Sequence, residues 1–256
     1  IIVFNRSFND FSNIAFRGNS YETLEAYARK VETRVDKKTR VETRTIISSP
    51  DELAAATLEG FTVTEDMLGN YSQTTYGRTA PSRSSEETPD GLYHLHFVPK
   101  KLTREVSAVL HIEGLNNIRS ATCRLGGVAE SIFLATGKTS ANTVTQEFTP
   151  SNPEFSPGSP FNGTLSCEFE IFGLNVIDNN NLHLDALLVD GKTEFEGDCT
   201  NVKITENDDG TGSVTLILEA STEKVPDVKP EGGAGSGFDV DVDGWGNEIN
   251  TDIPIN

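Results

Sequence analysis

Apolar and polar positions alternate along most of this chain, with the period of a strand. Val106, Ala108, Leu110 and Ile112 fall on one face of VSAVLHIEGL. TLSCEFEIFGL, NLHLDALLVDG, NVKITE and GSVTLILEA follow the same rule, with Pro-, Asn- and Gly-rich turns between them. Successive strand side chains point to opposite faces, so such stretches bury one side and wet the other. LYHLHFVP (92–99) predicts a further strand, and SATCRLGGVAESIFLATG (120–137) predicts two runs divided at Gly126-Gly127. NDDGTG (207–212) predicts the hairpin turn between the last two strands. Nearer the start, Ile14 and Phe16 alternate into a Gly-Asn-Ser turn. Val31, Thr33 and Val35, then Val41, Thr43 and Thr45, predict two half-exposed strands turned at DKK.

Two stretches break the alternation. TLEAYARKVE (23–32) predicts a short helix, and SPDELAAATLEG (49–60) a better one. Ser49 suits the N-cap, Pro50 the first turn, Asp51 and Glu52 the positive end, and Gly60 the stop. Residues 70–91 are polar and rich in Ser, Thr, Gly and Pro, which places a boundary there. The expected architecture is all-β: two tandem β-sandwich domains, 1–88 and 89–256, with one or two short helices in the first. GGAGSG (232–237) then tethers a terminal segment, 232–256.

That terminal segment, FDVDVDGWGNEIN onward, admits two readings. Asp239, Asp241 and Asp243 with Gly244 match the first half of a calcium loop, but the twelfth position is Asn250 where a bidentate Glu should close the sphere. Phe238, Val240 and Val242 form an apolar row that Trp245 anchors. The strand uses more of the residues, and Phe238, Val240, Val242, Trp245, Ile253 and Ile255 become the expected strand-docking knobs. It pairs either with its own sheet edge or with a neighbour's.

Composition narrows the function. Lys plus Arg is 21 against 39 Asp plus Glu, so 21 − 39 = −18. Such a chain repels nucleic acid, whose affinity comes from cations on phosphates. The excess is uneven: residues 29–44 carry a local +4, and from Glu219 onward the balance is −7. Cys123, Cys167 and Cys199 show no metal-ligand spacing and are expected to be small buried thiols. His94 and His96 share a strand face, with His111 a possible third, yet no carboxylate or Cys matches them as metal ligands; His183 reads as an exposed member of an alternating strand. Glu168 and Glu170 read as the wet face opposite Phe169 and Ile171, rather than as an acid–base pair. No GxSxG, HExxH or phosphate-loop motif occurs, so no enzyme and no cofactor is expected. Tyr71, Tyr76 and Phe155, in polar loops, would suit sugar stacking in the alternative of a surface glycan-binding or adhesion module.

Several stretches, in order, carry a family resemblance: residues 4–29, TEDMLG (64–69), residues 97–137, FEIFGL (169–174) and GSGFDVDVDGWGNEINTDIPIN (235–256). Together they resemble a family of Bacteroidetes surface lipoproteins related to the FimB-type minor or anchor subunits of fimbriae. The resemblance implies transthyretin-like sandwiches, export by a lipoprotein signal and an outer-membrane lipid anchor. It also implies partners that are other fimbrial subunits or surface ligands, joined by β-strand addition. A chain that starts at Ile1 inside what looks like the first sandwich would lack the lipid-bearing Cys and the earliest strands.

Overall fold

In the computed structural model, which describes residues 1–35, 43–64, 95–175, 180–208 and 214–230, alternation becomes burial. Val106, Ala108, Leu110 and Ile112 are all at most 2% exposed. Before residue 65 lie β1 (Ile2–Phe4), β2 (Ile14–Arg17), β3 (Glu25–Ala28), β4 (Lys30–Val35), β5 (Thr43–Ile47) and β6 (Ala54–Thr57). After residue 94 come β7 (Lys100–Lys101), β8 (Arg104–Glu113), β9 (Ile118–Ala129), β10 (Ser131–Phe133), β11 (Thr143–Phe148) and β12 (Asn152–Phe155). β13 (Asn162–Ile171), β14 (Leu182–Leu188), β15 (Glu194–Asp198), β16 (Thr200–Asp208) and β17 (Val214–Ser221) complete the order. The helical turns among the described residues are two 3-10 turns, Phe8–Asp10 and Leu115–Asn117.

Among the described residues the protein is all-β, with four sheets. A five-stranded sheet runs β12-β13-β8-β17-β16 and a six-stranded one β15-β14-β9-β11-β5-β4; β1-β6-β7 and β10-β3-β2 are smaller. The two large sheets share one buried cluster that takes Leu110, Phe169 and Leu218 from the first and Cys123, Phe148 and Leu184 from the second. Phe148 and Phe169 stack across it, ring centroids 4.3 Å apart. The expected boundary at 88/89 lies outside the described residues. Strands from its two sides pair with each other: β5 runs parallel to β11, and β3 antiparallel to β10.

Both predicted helices are strands instead. Ala26 and Ala28 of β3 are buried at period two between β2 and β10. In 49–60, each group that would cap a helix is engaged by distant chain. Ser49 bonds the backbone of Glu170, Asp51 accepts the N–H of Asn13, and the N–H of Leu53 bonds Thr103 Oγ1. Ala54–Thr57 then pairs with β1 and β7. Tertiary pairing overrides propensity, which is worth under about 1 kcal/mol per residue for non-Pro residues. LYHLHFVP is not a strand over its described residues 95–99, where the chain runs without pairing to β7. Nor do the glycines divide 120–137. β9 passes through Gly126 and Gly127, whose φ is +82°, and the break falls at Glu130. β4 and β5 form the antiparallel pair that the VETR alternation predicts, and β16 and β17 pair as the hairpin expected there.

One backbone unit ties the two large sheets together. β12 covers β13 only over residues 163–166, which leaves the Glu170 peptide groups beyond its reach. The N–H of Glu170 donates to Ser49 Oγ (2.9 Å), and its C=O accepts from the Ser49 hydroxyl and from Gln146 Nε2, each at 3.1 Å. Gln146 is fully buried on β11 in the opposite sheet. Removing the Ser49 hydroxyl would leave the Glu170 N–H without its partner, and such an orphan costs about 1–3 kcal/mol. Ser49→Ala is therefore expected to lose stability in that range in urea denaturation; an indistinguishable midpoint would mean that the contact contributes nothing.

Candidate strand-docking edge

Each large sheet ends in edge strands, and an edge offers a row of unpaired N–H and C=O groups unless something blunts it. β12 is four residues long and contains Pro153, which has no N–H to offer. β15 places Glu194, Glu196 and Asp198 along its exposed positions. β16 is different. It is nine residues long and pairs only with β17 among the described residues. Its one irregularity lies at its start, where the register shifts between Thr200 and Lys203 and Asn201 has φ +53°. Val202 and Ile204 pack inward against the core.

Beside this edge lies a cavity of about 650 Å³. Its apolar wall is made by Leu102, Ile132, Phe172, Leu174, Ile204 and Leu216. Gly173, at φ +153°, lets the chain turn tightly into that wall; a Cβ there would meet the Thr139 methyl at 2.9 Å. The charged rim is mostly neutralised. Arg104 pairs with Glu206 at 2.9 Å and Lys101 with Glu170 at 2.6 Å. Burial works to lower the Lys101 pKa, but the hydrogen bond and charge of Glu170 outweigh it and hold the ammonium raised. β-strand addition uses an unpaired ladder for main-chain bonds and pockets for alternate side chains; here the neighbouring cavity offers an apolar wall under a charged rim.

Residues 1–149 match the family model described as a domain of unknown function, DUF5119. The chain belongs to the DUF5119 family. No curated protein matches it. Among solved structures, it is similar to a crystal structure of a candidate adhesin from Bacteroides ovatus, at 16% identity and a TM-score of 0.47. The alignment covers 77% of this chain, which spans 63% of that structure's chain.

The sequence-predicted docking residues of this DUF5119 chain, Phe238, Val240, Val242, Trp245, Ile253 and Ile255, lie outside the described residues, as do Asp239, Asp241 and Asp243 of the calcium alternative. So do Tyr71, Tyr76 and His94. His96 and His111 are exposed, His96 outside any strand and His111 on β8. Glu168 is exposed and Phe169 and Ile171 are buried, as expected, but Glu170 is half-buried and its carboxylate pairs with Lys101, so only Glu168 lies on a wet face. Phe155 is 48% exposed and Phe161 59%. Sequence reasoning missed β15, and with it a polar constellation. His183, Asp185 and Glu196, the group of metal-competent donors among the described residues, come within 4.8 Å of one another. The signal was present as a second alternation, EFEGD, downstream of LHLD.

The three thiols are free; Cys123 is buried as expected, whereas Cys167 and Cys199 are half-buried. Burial pushes Cys167 and Cys199 up to about 11 and raises Cys123 well above its ordinary value. A thiol at that value is about one part in a thousand thiolate at pH 8, and the thiolate is the reactive form. None is poised as a nucleophile. Labelling with a disulfide reagent at pH 8 is expected to be slow in the native protein and to reach all three cysteines in denaturant. Fast native labelling of any one would contradict the burial described here.

Proposed function

We propose that this protein is an exported, non-enzymatic subunit of a fimbria, of the minor or anchor type, that serves adhesion through β-strand contact with other subunits. The observation that carries the reading is the nine-residue edge of β16 beside a cavity with an apolar wall and a charged rim. The ordered resemblance across the chain supports it, and so does the net charge of −18, which disfavours nucleic-acid partners. Among the described residues no helix is long and apolar enough to cross a membrane. On this reading, the outer membrane is met through a lipid anchor on the full-length protein.

The strand supplied to such an edge is the acidic terminal segment, with Phe238, Val240 and Val242 as knobs and Asp239, Asp241 and Asp243 turned to water. The described chain ends just past Val225, whose N–H bonds the carbonyl of Glu113 at the far end of β8. β17 runs parallel to β8 and antiparallel to β16. A segment that left there and turned directly along β16 of its own molecule, without first crossing the sheet, would run parallel to it. One from a second copy is free to run antiparallel, the slightly more stable ladder.

Trp245 is the single tryptophan, so its emission reports on docking directly. The expected result is blue-shifted native emission that moves to the red in Val240→Asp and in Ile204→Asp. Native emission already at the wavelength of a water-exposed indole would remove the docked strand from the scheme. A second reading rests on Phe155 and Phe161, exposed at either end of the β12–β13 turn, as a platform for sugar stacking in a glycan-binding adhesion module. It would be favoured by glycan-array hits that disappear in Phe155→Ala and Phe161→Ala.

A further inference from the structure

The solvent face of β14 and β15 carries chemistry that strand docking does not use. His183 and Asp185 are two apart on β14 and so share a face. Across the ladder, Asp198 stands opposite His183 and Glu196 opposite Asp185. On the other side Arg124 stands opposite His183, and Glu147 opposite Arg124. The side chains follow this register. Arg124 Nε donates to Glu147 Oε2 at 3.0 Å, and its guanidinium also pairs with Asp185 Oδ2. That leaves Asp185 Oδ1 facing His183 Nε2 at 3.1 Å, while His183 Nδ1 lies 2.9 Å from Asp198 Oδ1. One donor atom each from His183, Asp185 and Glu196 falls within 4.8 Å of the others.

Two features separate this arrangement from an ordinary charged strand face. A neutral imidazole has one N–H, yet both ring nitrogens here face carboxylate oxygens. With the proton on Nδ1 toward Asp198, the Nε2 lone pair points at Asp185 Oδ1, a contact that either a second ring proton or a metal ion satisfies. The surroundings favour a cation. Of the groups in this network, Glu147, Asp185, Glu196 and Asp198 are acidic and Arg124 is basic, a balance of 1 − 4 = −3 with the imidazole neutral.

We propose that this face binds a divalent transition ion of the zinc or copper class. His183 Nε2, Asp185 and Glu196 are the ligands; Asp198 is a positioning group that holds the ring by its other nitrogen. Imidazole with carboxylates suits these ions, whereas calcium and magnesium favour shells built from oxygen. A carboxylate behind a ligating histidine fixes its tautomer and raises its basicity. Arg124 plays the corresponding part for Asp185, turning Oδ1 toward the ring.

The test is calorimetric titration of zinc chloride into the full chain at about pH 7.5, where an unperturbed imidazole is neutral, with melting temperature as a second readout. The expected result is one zinc per chain lost in His183→Ala and in Glu196→Gln, and a zinc-dependent rise in melting temperature that disappears with it. Asp198→Asn keeps the site but weakens it about 10-fold, the usual cost of losing an outer partner. His111→Ala, on the other large sheet, leaves it unchanged. No uptake by the unmodified chain would show that a second proton alone holds His183 to Asp185. Uptake undiminished in His183→Ala would place the ion elsewhere. Either outcome overturns the proposal.

Discussion

The structure depends on the closing of two large sheets over one shared apolar layer, and the join between β11 and β13 shows what that requires. Phe148 and Phe169 stack there, and beside them the Glu170 peptide unit is held from across the gap by Ser49 and Gln146. A β13 peptide beyond the cover of β12 would otherwise be an orphan, and buried peptide groups without partners are rare because they are costly. The solution ties residues far apart in the chain into one place. Ser49 precedes β6, Gln146 sits in the opposite sheet, and Lys101 closes over the Glu170 carboxylate. Local sequence preferences near Ser49 yield to that demand.

The strand series was legible wherever one face of a strand is buried and the other wet. In VSAVLHIEGL and LHLDALL the apolar positions of the sequence are the buried ones of the structure, since period-two alternation follows from strand geometry itself. The failures have a common cause. SPDELAAATLEG carries every local mark of a helix start, and TLEAYARKVE is rich in helix formers, yet both are drawn into sheets by partners remote in sequence. Alanine favours a helix by propensity, but its small side chain also fits the buried side of a sheet, so composition pointed away from the pairing that wins. In SATCRLGGVAES the glycines suggested a break, but Gly126 and Gly127 instead let β9 continue past a close neighbour. A Cβ on Gly126 would lie 2.0 Å from Asn181 Oδ1.

The candidate edge was less legible than the strands. NVKITE announces a strand, and its hairpin with GSVTLILEA follows from the turn, but nothing in either stretch says that β16 ends its sheet. Edge position depends on the parallel pairing of β17 with β8, formed between strands about a hundred residues apart in the chain. Parallel neighbours need long crossovers, and their register is not written in local turn chemistry. The cavity is likewise a property of assembly, walled by β16 and β17 together with Leu102, Ile132 and Phe172 from elsewhere in the chain.

The edges of the large sheets differ in how far they are blunted. β12 is short and interrupted by Pro153, and β15 is lined with carboxylates, devices that keep other chains away. β16 has neither. Its bulge twists only the first residues, near Thr200, and leaves the stretch from Lys203 to Asp208 regular beside the cavity. On β15 the same carboxylates that guard the edge surround His183, so protection and cation affinity arise there from one set of side chains. Within the five-stranded sheet the short, proline-bearing β12 and the longer β16 are opposite edges, so that sheet presents different ladders on its two sides.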